Sequence, residues 1–141
     1  MKTYYLKKED VVEKWYLVDA ANQIVGRVAG KIACILRGKN NPDFTPAVEC
    51  KNVVVVINSE KVKISGKKAE DKNYFHHTFF IGGLKKISYE RMMETHPDRI
   101  LEHAIKGMLP KNKLQDRMMA RLKIYKGDKH PHSAQKLEKV N

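Results

Sequence analysis

The sequence predicts an α/β fold in three layers: an open, mostly parallel sheet with helices on both faces, continued by a basic C-terminal extension. Three observations carry this expectation. "NVVVVIN", from Asn52 to Asn58, is a continuous β-branched run, the mark of a strand covered on both faces. Before and after it, apolar residues recur at helical spacing. Strand-like and helix-like stretches alternate, as crossover-connected parallel strands require. A chain of 141 residues suits one domain, here 1–141, with an N-terminal arm over 1–14 and the basic extension over 123–141.

The elements follow in order. "WYLVDA", Trp15 to Ala20, reads as the first strand. Ile24 to Arg37 reads as a helix that buries Ile24, Val28, Ile32 and Ile35 or Leu36, and Gly38 stands where a helix-ending glycine belongs. Pro42 and Pro46 punctuate a loop before the β-branched strand. Short strands are expected near Val62 to Ser65 and Tyr74 to His77, with Gly82-Gly83 breaking the chain. Ser88 can cap a short helix ending near Thr95. Pro97 starts another, with Ile100, Leu101, Ala104, Ile105 and Met108 inward. Leu114, Met118 and Leu122 then form a last helical stripe, ringed by Lys111, Lys113, Arg117, Arg121, Lys123 and Lys126.

Charge says more about partners than about fold. The formal net charge is +12, and Lys106 to Asn141 holds ten basic residues against three acidic, which points to a polyanion. Proline, histidine and glycine interleave with apolar anchors there, unlike a plain solvated tail. A second basic knot, Lys61, Lys63, Lys67, Lys68 and Lys72, flanks the turn "SGKKAEDK". Alternation puts Lys61 and Lys63 on one face and turns Val62 and Ile64 inward. No apolar run is long enough to span a membrane, and the N-terminus lacks the pattern of a signal peptide. Cys34 and Cys50 read as reduced thiols of a cytoplasmic protein.

Several features invite chemistry and fall short. "GRVAGK", Gly26 to Lys31, resembles a phosphate-binding loop, but it is one residue short between its glycines. Ile32 also stands where a magnesium-holding Ser or Thr is needed, and small residues for helix–sheet packing explain the stretch better. His76 and His77 are adjacent on a strand and point to opposite faces. His130 and His132 have no third ligand nearby, so no metal site is expected. No Ser-His-acid or Cys-His arrangement declares itself. Half of the aromatic cluster "NYFHHTFF" can stack bases, and alternation assigns the other half to core.

The collinear set "WYLVDA", "GRVAGKIACILRGKN", "FTP", "KISGKK", "YFHHT", "IGG", "AIKGMLPKNKL", "LKIYKG" and "HPHSAQ" resembles bacterial large-subunit ribosomal protein thirteen, from about Trp15 to Gln135. The resemblance implies an α/β structural component of the large subunit that binds its ribosomal RNA, touches neighbouring ribosomal proteins and acts early in assembly. It implies no enzyme, cofactor, membrane or small-molecule substrate. The RNA-facing candidates are Arg37 and Lys39; the knot Lys61, Lys63, Lys67, Lys68 and Lys72; His76 and His77; Lys106, Lys111, Lys113, Arg117 and Arg121; and Lys123, Tyr125, Lys126, Lys129, His130 and His132. Lysine and arginine would neutralise phosphates and release counterions, while Tyr125 and the histidines would stack or hydrogen-bond. Three places depart from the family pattern. Gln115-Asp116 replace Gly-Arg, Phe79 replaces glycine, and Lys51-Asn52 replace Gly-Asp. A nucleotide-dependent enzyme on a doubly wound sheet, and a messenger-RNA binder acting outside the ribosome, are the competing readings.

Overall fold

The computed structural model describes residues 5–140; the first four residues of the expected N-terminal arm and the last residue of the expected extension lie outside them. Four parallel strands form the main sheet in the order β5-β2-β1-β6: β1 (Trp15–Asp19), β2 (Val53–Ile57), β5 (Leu122–Ile124) and β6 (Leu137–Val140). Helices α1 (Val25–Arg37), α3 (Tyr89–Thr95), α4 (Pro97–Met108) and α5 (Leu114–Ala120) flank it, so the α/β expectation is met. A short α2 (Lys68–Asp71) leads into an antiparallel hairpin, β3 (Asn73–His77) with β4 (Leu84–Ser88), separate from the main sheet.

Register explains how the β-branched run is buried. Trp15 and Leu17 lie level with Val53 and Val55, while Tyr16 and Val18 lie level with Val54 and Val56. Side chains alternate faces along a strand, so these sets point to opposite sides of the sheet. Val18, Val54 and Val56 join the main apolar cluster with Ile32 and Leu36 of α1 and Ile100, Leu101 and Ile105 of α4. Val53 and Val55 are equally buried on the other side.

Helix ends follow from backbone bookkeeping. The α1 entry has no side-chain cap; instead the Val25 N–H donates to the Lys63 carbonyl at 2.9 Å. That is what becomes of the strand expected near Val62 to Ser65. It forms a single parallel bridge, Ile24 with Lys63, because its partner is the α1 entry loop and not a strand. The alternation survives, with Val62 buried and Lys61 and Lys63 exposed. At the other end Gly38 takes φ 80, and the N–H groups of Gly38 and Lys39 close onto the carbonyls of Ile35 and Cys34. A Cβ on Gly38 would lie 2.7 Å from the Cys50 Cβ. Gly38→Ala is therefore expected to cost roughly 1–3 kcal/mol in urea unfolding, by strain and overpacking together. An unchanged midpoint would show that the site relaxes freely.

Three expectations are corrected. Met108, expected inward, is 48% exposed, because the backbone leaves the helix at Leu109 and Leu109 fills the core position instead. Leu122 lies on a strand: α5 stops at Ala120, and the stripe of Leu114, Met118 and Leu122 reaches the core from two different elements. The basic C-terminal segment, expected as an extension, is tied into the sheet. Its residues supply β6 and most of β5, and β6 pairs with β1.

Candidate nucleic-acid interface

The basic knot is solvent-facing throughout. Lys61, Lys63, Lys67, Lys68 and Lys72 are all exposed, with Lys72 lying over the Tyr74 ring at 5.5 Å. Its base is pinned by Asp19, which accepts from the Asn58 side chain at 2.8 Å and the Ala21 N–H at 3.0 Å. The Asn58 bond, then the Ala21 bond, hold the Asp19 carboxyl below its ordinary range. The fold then brings the C-terminal cations to this turn. The Asn58 and Ser59 N–H groups donate to the carbonyls of Gly127 and Tyr125, at 2.9 and 3.1 Å. Lys126 is exposed beside them and donates to the Thr95 carbonyl at 3.1 Å. Lys123 and Lys129 are exposed as well.

Beyond Lys129 the chain folds back on Trp15. His132 packs against the Trp15 ring at 5.3 Å, shares a 2.8 Å hydrogen bond with the Tyr125 hydroxyl, and stacks on His130 at 6.4 Å. These half-buried rings hold the segment in place, so part of their hydrogen-bonding capacity is already engaged within the protein.

A third group borders a shallow cleft between α4 and α5: Lys106, Lys111 and Lys113, with His103, Asn112 and Gln115. Gln115 donates to the carbonyls of Lys106 and Leu109, at 2.8 and 3.3 Å, stapling the end of α4. Arg117 and Arg121 both reach Glu49. Arg117 stays 68% exposed, whereas the Arg121 side chain is 17% exposed and turned inward, unlike the outward cation expected from spacing. Arg37 lies over the Phe44 ring at 5.6 Å, and Lys39 beside it is exposed.

On the hairpin, His76 sits opposite Lys85 and His77 opposite Leu84, so the two histidines do face apart. Burial raises the pKa of Tyr74, at the hairpin base, above its ordinary value. Sequence reasoning passed over Lys85 and Lys86, both exposed on β4. The signal was present: Asn73 to Ser88 contains no acidic residue.

The phosphate-loop look-alike lies within α1, where Val28 and Ala29 are buried and the backbone is helical. Purified protein is expected to show no ATP or GTP hydrolysis above a Lys31→Ala control; turnover lost in that variant, with the fold intact, would reverse this. Among the described residues no group of three or more His, Cys, Asp or Glu could hold a metal ion. Cys34 and Cys50 are free thiols.

Fold and surface together define a small α/β protein whose exposed charge is strongly cationic. The chain belongs to the ribosomal protein L13 family, which matches it over residues 13–131. It is 53% identical over 138 residues to the large ribosomal subunit protein uL13 of Caldicellulosiruptor bescii, covering 98% of this chain and 97% of that one. It is 52% identical over 141 residues to the uL13 of Clostridioides difficile, covering 100% and 99%. The uL13 of Acidithiobacillus ferrooxidans is 48% identical over the same length and coverage. Membership places the chain among structural ribosomal proteins and not among enzymes.

The departures from the family pattern have local accounts. Gln115 makes the staple just described. Asn52 is buried and donates to the Ile35 carbonyl at 2.9 Å, tying β2 to the end of α1. Phe79 takes φ 66, the left-handed region that glycine occupies at least cost.

Proposed function

We propose that this chain is a structural constituent of the large ribosomal subunit, working in the cytoplasm, that binds large-subunit ribosomal RNA and supports early assembly by neutralising phosphates. The observation that carries the reading is the joining of the basic knot to the C-terminal cations at the turn of Asn58 and Ser59, in a member of a ribosomal family. Cations fixed on a packed scaffold pay little ordering cost when they meet phosphates that RNA folding has gathered. Arg117 can fork onto a phosphate, while the lysines act as point charges. Neighbouring ribosomal proteins are the second class of partner. No helix among the described residues is long and apolar enough to cross a membrane. Crosslinking within purified large subunits, with the crosslinked nucleotides mapped, tests the reading. Crosslinks should run from Lys61–Lys72 and Lys111–Lys129, and crosslinks confined to protein would overturn it.

A further inference from the structure

The turn between β3 and β4 carries apolar side chains outward. Phe79 is 93% exposed, Phe80 78%, and Ile81 projects fully into solvent. Single exposed apolar residues are ordinary, but a contiguous cluster marks a contact surface. The hairpin is anchored on one side, where the opposed pair Tyr74 and Ile87 packs against the core. On its other side Phe75 and Leu84 are exposed too. The turn is also closed. The Thr78 N–H donates to the Gly83 carbonyl at 3.0 Å and the Gly83 N–H to the Phe80 carbonyl at 2.9 Å. The Phe79 N–H donates to His77 Nδ1 at 2.9 Å, and the two rings meet edge to face at 6.1 Å. A Cβ at Gly83 would lie 2.1 Å from the Thr78 hydroxyl, so the turn closes as tightly as a glycine allows. Rings displayed from such a turn lose little freedom when they bind.

Charge decides what they bind. The hairpin has no acidic residue, and Lys85 and Lys86 stand exposed on β4, opposite His76 and Phe75 and one on each face of the strand. An apolar protein surface would gain nothing from those cations, whereas unpaired bases offer flat faces and flanking phosphates at once. We propose that the β3–β4 tip is a stacking platform for unpaired bases of ribosomal RNA, with Phe79 and Phe80 against base faces and Lys85 and Lys86 at the adjoining phosphates. This rests on the RNA-binding reading above.

The test uses the full chain and protein-free large-subunit ribosomal RNA transcribed in vitro, titrated at several salt concentrations. Phe79→Ala/Phe80→Ala should melt with the wild type yet bind roughly tenfold or more weakly at every salt, with an unchanged log–log salt slope, because the rings carry no charge. Lys85→Ala/Lys86→Ala should instead flatten the slope, by roughly 1.5. Emission of Phe80→Trp, read against the Trp15 background, should be quenched as RNA is added. Equal affinity of the ring variant and the wild type would overturn the platform. If that variant also incorporated poorly into subunits reconstituted with the other ribosomal proteins, the tip would be a protein contact instead. A wild type that failed to bind the RNA at all would overturn the broader reading and this one with it.

Discussion

Leu122→Ala is expected to lower the unfolding free energy by roughly 2–5 kcal/mol, the cost of a cavity at a buried leucine. Leu122 is 9% exposed, sits level with Val54 in the sheet and touches the core that α4 and α5 share. Its neighbour Arg121 gives the informative contrast. Spacing alone makes Arg121 an outward cation whose removal weakens RNA binding and leaves stability alone. The structure turns it onto Glu49, with both side chains about four-fifths covered. Arg121→Ala is therefore expected to cost roughly 1–3 kcal/mol, since it removes the covered partner of a partly buried carboxylate and leaves it only the exposed Arg117. Parallel urea and RNA titrations separate the two residues. Arg121→Ala losing RNA affinity at wild-type stability would restore the outward role.

Alanine at Lys61, Lys63, Lys67 and Lys68 together is expected to reduce the slope of log affinity against log salt by roughly three, for four lost phosphate contacts. All four are exposed, and none is paired with a carboxylate among the described residues. Their removal should hardly change the melting temperature. Filter binding to folded large-subunit RNA at four or five salt concentrations measures the slope. A slope equal to that of the wild type would reduce the knot to a solvated face.

The elements that could be read from the sequence are those whose burial is local. The β-branched run of β2 and the stripes of α1 and α4 each announce their own period, and all three are present. β5 was hidden because Leu122 falls four residues after Met118 and so mimics a further helical turn. β6, "LEKV", has a strand's length but neither alternation nor a β-branched run, and only its pairing with β1 makes it a strand. β4, "LKKIS", was passed over for a similar reason: one residue of it packs inward. The candidate interface divides in the same way. Exposed lysines were legible as charge. The inward turn of Arg121 was not, because it depends on a carboxylate about seventy residues away in the sequence.

The parallel pairing of β6 with β1 has a consequence for how the molecule is made. β1 lies near the start of the chain and β6 near its end, so synthesis delivers the two partners at opposite times. Until β6 emerges, the outer edge of β1 offers unpaired N–H and carbonyl groups to any passing strand. A translation product interrupted before Leu137 would carry an open sheet edge together with most of the lysines proposed to face RNA. Such a fragment would be prone to self-association through that edge.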